Sequence, residues 1–114
     1  MEEASESIAQ VVHAAIRAWA SANDQTEMPI WEAAPTWMKD STFASVRFVI
    51  DNPSAGPGAQ HRQWMKQRKA QGWEYGAVRD DAKKHHPMLV PFEELPEIEQ
   101  KKDQLVGAIV RALI

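Results

Sequence analysis

The sequence predicts a mainly α domain: a small bundle of about four helices, with an irregular segment between the third and the last that has room for a short β-pair. Three observations predict it. Apolar residues recur at helical rather than alternating spacing over four stretches. Prolines and glycines gather between those stretches. The 114 residues, 44% hydrophobic and 25% charged, suffice for one core and match neither a disordered chain nor a fibrous repeat.

Ser7 with Gln10 three residues on reads as a capping box, and Ile8, Val11, Val12, Ala15, Ile16 and Trp19 follow on one helical face, giving a first helix over roughly 7–22. The polar stretch Asn23 to Pro29 is a connecting loop. Pro35 then stands where a first-turn proline belongs, and Trp37, Ala44 and Phe48 share a stripe with Phe43, Val46 and Ile50 beside it, which predicts a second helix from Thr36 to Ile50. Val46 to Ile50 alone also suits a strand, but the helical stripe runs over more residues. Asp51 to Gly58, with two prolines and two glycines, is a loop. A third helix starts at Ala59, carries His61, Trp64, Met65 and Arg68 on one side, and stops at Gly72, a left-handed C-terminal cap. Trp73 to Phe92 holds only two short apolar islands. Pro96 opens the last helix, on Ile98, Lys102, Leu105, Val106, Ile109 and Leu113.

Composition excludes several function classes. With no cysteine there is no disulfide scaffold, thiol nucleophile or zinc ribbon. Thirteen Lys and Arg against sixteen Asp and Glu leave a formal charge of −3, so a nucleic-acid partner is not expected and any anion site must be local. No apolar run approaches the ~18 residues of a membrane span, and Met1-Glu2-Glu3 is no leader, so the chain is read as soluble and cytoplasmic, with no membrane partner. Five Trp beside one Tyr and three Phe imply an aromatic-rich core or an aromatic-lined pocket.

The chemistry concentrates between His61 and Phe92. Here Arg68, Lys69, Arg79, Lys83 and Lys84 mix with His61, His85, His86, Trp64, Trp73 and Tyr75, the side chains that stack a planar ring and pair an anion such as phosphate. The plainer alternative makes Trp64 and Trp73 core anchors and the charges a solvated face. The three histidines lack ligand spacing, so no metal is expected. Ser41, His86 and Asp80 complete a triad only on paper, without a nucleophile elbow. Ala55-Gly56-Pro57-Gly58 is a turn rather than a phosphate loop, and the carboxylates Asp80-Asp81, Glu93-Glu94 and Glu97, Glu99 read as solvated turn and first-turn residues.

The string His61-x-x-Trp64, Gly72-Trp73-x-Tyr75-Gly76, Val78-Arg79-Asp80, and Lys84-x-His86-Pro87-x-Leu89-Val90-Pro91-Phe92-x-x-Leu95-Pro96-x-x-Glu99-x-x-x-Asp103 resembles the RyR domain, the repeat named after ryanodine receptors. Trp31-Glu32-x-Ala34-Pro35-x-Trp37 and the Asn52-Pro53 turn look like the stand-alone phage or prokaryotic form. The resemblance implies one domain over 1–114, with a core motif at 57–114 and an N-terminal helical extension at 1–52. It further implies a non-catalytic module without cofactor, recognising a nucleotide-derived signal such as an ADP-ribose relative or cyclic nucleotide. In a phage such a protein would sequester a host signal in the host cytoplasm. Arg68 and Arg79 stand where lysine is the commoner choice, which favours forked phosphate pairing over a point contact.

On this reading Trp64, Trp73 and Tyr75 supply stacking faces, Arg68, Arg79 and Lys84 pair phosphates, Asp80 accepts from a ribose hydroxyl or orients Arg79, and His61 and His86 line the rim. The competing expectation is an interaction or self-assembly module, a homo-oligomer included, since Trp, Tyr and Arg also dominate interface hot spots. A nucleotide-processing enzyme, resting on the histidines alone, is the third. Concavity separates the first two: rings converging in a cleft favour a ligand, and a flat exposed patch favours a partner.

Overall fold

The four apolar stripes fold as helices in the computed structural model of the protein, which describes residues 2–114 and side chains from Ser5 onward. They are α1 (Glu2–Ala22), α2 (Thr36–Asp51), α3 (Ala59–Ala70) and α4 (Glu97–Leu113). Single 3-10 turns, Trp31–Ala33 and Phe92–Glu94, lead into α2 and α4. Helix α1 begins before the expected boundary, so Ser7 and Gln10 lie inside it and form no capping box. Glutamate and alanine ahead of Ser7 propagate a helix well, and glutamate suits the positive end of its dipole. Val46 to Ile50 belong to α2 and not to a strand.

The main core is built from three of the four helices. Ile8, Ala9 and Val12 of α1, Val46 and Val49 of α2, and Val106 and Val110 of α4 are buried together, with Ile16, Trp31, Phe43 and Ile109 packed around them. Helix α3 contributes none of these. Its single buried side chain is His61, whose Nε2 pairs with the Val90 carbonyl at 2.8 Å and whose ring lies 6.3 Å from that of Phe92. Leu89, Phe92 and Leu95 are buried in the stretch of chain that follows, and α3 packs against α2 and α4 as well as against this stretch.

Backbone geometry fixes both ends of α3. Gly58 precedes it with φ +85°, and a Cβ there would stand 2.9 Å from Phe92 Cγ, so glycine answers both a left-handed backbone and a close approach. At the other end Gly72 has φ +90°, the Trp73 N–H donates to the Arg68 carbonyl at 2.9 Å, and the Gly72 N–H donates to that of Lys69 at 3.0 Å. This pair of bonds is a Schellman cap. It turns the chain sharply and ties Trp73 to the last turn of α3.

The segment after the cap contains a two-residue parallel pair, β1 (Glu74–Tyr75) with β2 (His85–His86), in which Glu74 faces His85 and Tyr75 faces His86. Parallel strands normally need a crossover of about a dozen residues or more. The shorter link here closes because Asp80 and His85 also exchange two backbone bonds, of 3.0 and 2.9 Å, and fold the loop back on itself. Lys84 takes φ +58° at the tightest point of that return.

Candidate functional site

The Schellman cap and the short β-pair bring the chemistry of three distant stretches to one place. Trp64 and Arg68 lie one helical turn apart on α3, so they share a face, and the Arg68 guanidinium sits 5.9 Å over the Trp64 ring. Strand β2 lays His86 against this face, its ring edge-on to Trp64 at 5.0 Å and 6.2 Å from Trp73. Helix α2 closes the opposite side with Trp37 and Ser41, and the loop between the strands adds Arg79 and Asp81. Between them lies an open cleft of about 400 Å³, floored by the α3 C-terminus at Gln71.

The cleft brings two guanidinium groups, one carboxylate and one imidazole together. Arg79 Nε donates to Asp81 Oδ1 at 2.9 Å, an exposed ion pair. Arg68 has no carboxylate within 4.0 Å among the described residues; its Nη1 donates to the Gln71 side-chain oxygen at 2.8 Å, and its Nη2 lies 3.5 Å from Ser41 Oγ. Partial burial and the neighbouring Arg79 guanidinium both lower the Arg68 pKa from its usual value. His86 is pushed below 6.5, first by burial and then by Arg79 and Arg68, against weaker opposing effects of Glu99 and Asp81. Its Nδ1 accepts from the Met88 N–H at 3.1 Å, which fixes that nitrogen as the unprotonated one. Two like charges thus line the cleft with a single carboxylate, which is paired with Arg79.

A second, equally open hollow of about 290 Å³ adjoins the cleft among all four helices, and Ser41, Trp64 and His86 line both spaces. His61 stacks on the inner side of Trp64, at 5.5 Å and 25°. Thr42, Ser45 and Gln60 face the hollow from α2 and α3, and Glu99, Lys102 and Asp103 from α4. The Asp103 pKa lies above the usual 3.8, because burial outweighs the opposing effects of His61, the Gly58 N–H and Arg62.

Of the nine residues singled out in the sequence, Trp64, Arg68, Trp73, Arg79 and His86 meet in the cleft. The other four stand elsewhere. His61 is buried behind Trp64 and not at a rim, its ring nitrogen committed to Val90. Tyr75 is 58% exposed and lines no part of the cleft. The Asp80 carboxylate accepts from the Lys83 N–H at 3.1 Å and shapes its own turn, so the partner of Arg79 is Asp81 instead. Lys84 Nζ donates to the Gln71 carbonyl at 2.8 Å and serves the C-terminal cap of α3. The sequence reading missed Trp37 and Ser41 as walls. Their one-turn spacing on the α2 stripe was visible, but not which element that face meets.

No described helix is long and apolar enough to cross a membrane. The family model of the RyR domain matches residues 58–114, half of the chain, from the glycine that opens α3 to the last residue. Every cleft residue except Trp37 and Ser41 lies inside the matched span. Match, helical architecture and motif string agree: the chain belongs to the RyR domain family.

Proposed function

We propose that the protein is a non-catalytic binding module for a nucleotide-derived anion of the ADP-ribose or cyclic-nucleotide kind. One observation carries the reading: three indole rings and two guanidinium groups, one of them without a carboxylate partner among the described residues, converge on a concave space and not on a flat patch. Indoles offer faces to a planar base, and guanidinium forks match phosphate oxygens two at a time. In a phage-infected cell, such binding would lower the free concentration of a host signal. Titration of intrinsic Trp fluorescence with ADP-ribose and a panel of cyclic nucleotides tests the reading. A saturable change is expected, and Trp73→Ala should abolish it; a flat response across the panel would remove the proposal.

Tyr75 and Val78, 58% and 77% exposed beside the cleft, favour a second reading, a self-assembly or partner-docking surface with no small ligand. If that surface joins copies of the chain, light scattering should show a concentration-dependent mass that Tyr75→Ser with Val78→Ser returns to the monomer.

A further inference from the structure

Resting on the reading of the cleft as an anion site, we infer that Trp37 is its specificity-determining residue: the indole, carried by α2 from outside the span that the family model matches, stacks the base of a nucleotide whose phosphate sits at Arg68. The cleft would then distinguish a nucleotide from a bare phosphate or a sugar phosphate, and it would do so through a side chain that the family motif does not contain.

The fold makes little use of this ring. Of the five tryptophans, four are partly buried and Trp37 alone is exposed, at 52%. It stands outside the main core, and among the described residues it meets no other aromatic ring, whereas Trp31 packs edge-on against both His13 and Phe43. A lone apolar side chain at a surface is ordinary, but this one faces a concave space that two guanidinium groups also line. The other two indoles of the cleft are already engaged. Trp64 has His61 stacked on it at 5.5 Å, His86 edge-on at 5.0 Å and the Arg68 guanidinium at 5.9 Å. Trp73 meets the same His86 at 6.2 Å, and its backbone N–H closes the cap of α3. These two rings build the wall, and Trp37 is the ring left to take a base.

The spacing along α2 suits a nucleotide. Arg68 Nη2 lies 3.5 Å from Ser41 Oγ, which places Ser41 beside the phosphate seat. Trp37 precedes Ser41 by one helical turn, so both lie on the face that lines the cleft, about 6 Å apart along the axis. That rise is comparable to the reach of one ribose, the unit that joins a base to its 5′ phosphate. Stacking a base on an aromatic side chain strengthens binding by about tenfold, and every base has a face to offer.

Calorimetric titration of the full chain with two probes, ADP and inorganic pyrophosphate, tests the assignment. ADP should bind about tenfold more tightly than pyrophosphate. Trp37→Leu, which removes the ring and keeps an apolar side chain, should erase that margin and leave pyrophosphate affinity within about twofold, while Trp37→Phe should keep most of it. Retained pyrophosphate binding certifies the fold of each variant. Should Trp37→Leu lose pyrophosphate as well, the unmodified chain decides the matter: saturating ADP should shield its exposed indole from acrylamide quenching, and saturating pyrophosphate should not. Equal affinity for the two probes, a margin that survives Trp37→Leu, or an indole that ADP leaves unshielded overturns the inference and leaves the anion site standing. Failure of both probes to bind removes the anion site itself and this inference with it.

Discussion

At the scale of single residues, the two arginines are not equivalent. Arg79 is half exposed and already paired with Asp81, so its net contribution to holding a phosphate is screened and partly spent. Arg68 is the more buried of the two and has no carboxylate to give up among the described residues. Arg79→Ala should cost about 1.5 kcal/mol of anion binding and Arg68→Ala closer to about 3 kcal/mol, the two ends of the range for hydrogen bonds to charged groups. Titration of both variants with ADP-ribose checks the order, and unchanged affinity in Arg68→Ala would remove that residue from the site. His86 supplies a pH dependence. In the free protein its pKa is held below 6.5 by burial, Arg79 and Arg68, with Glu99 and Asp81 opposing, so the fold favours neutral imidazole and loses stability as pH falls below that value. A bound anion offsets the two arginines and raises the same pKa. Affinity for ADP-ribose should therefore rise as pH drops from 8 to 6, with uptake of at most one proton. His86→Asn keeps an acceptor for the Met88 N–H and should flatten that slope. These roles were partly legible in the sequence. The density of Arg and Trp after His61 marks the site, but whether a given charge faces a ligand or caps a helix depends on backbone angles such as those of Gly72 and Lys84, which residue identity alone does not encode.

Among elements, α3 decides the geometry of the cleft, because Trp64 and Arg68 ride on its face and Trp73 follows its cap. Its start depends on Gly58, where alanine would meet both a left-handed backbone and the Phe92 ring. Gly58→Ala should destabilise the protein by more than about 1 kcal/mol, measured by urea unfolding. Its end depends on the Lys84 bond to the Gln71 carbonyl. Lys84→Ala should lower the melting temperature slightly and leave ADP-ribose affinity unchanged, whereas a phosphate-binding lysine would show the reverse. Helix identity was readable throughout, since apolar periodicity and the prolines at 35 and 96 specify α2 and α4 almost to the residue. The start of α1 was not, because a capping signature inside a good helix former is indistinguishable from one at its end. Nor was the parallel sense of the β-pair, because the bridge from Asp80 in the connecting loop to His85 of β2 leaves no mark in residue identity.

For the molecule as a whole, the span that defines the family and the span that folds are different. Residues 58–114 hold most of the cleft but supply only Val106 and Val110 to the main core, whose other buried members, Ile8, Ala9, Val12, Val46 and Val49, all belong to α1 and α2. Without those helices α4 presents its apolar stripe to water. The small cluster of His61, Leu89, Phe92 and Leu95 is then the chief burial left. A chain of that size is marginal even when well packed, since a domain of about 60 residues buries only about 60% of the surface its unfolded form exposes. Residues 58–114 alone should therefore show weak helical circular dichroism, collapsed amide dispersion and no cooperative thermal transition, while the full chain unfolds in one step. Mixing in a peptide of residues 1–57 should restore dispersion, because the missing contacts are side-chain packing and need no covalent link. A fragment that folds by itself would mean that α3, the β-pair and α4 form an autonomous unit, and that α1 and α2 act only as the outer wall carrying Trp37 and Ser41.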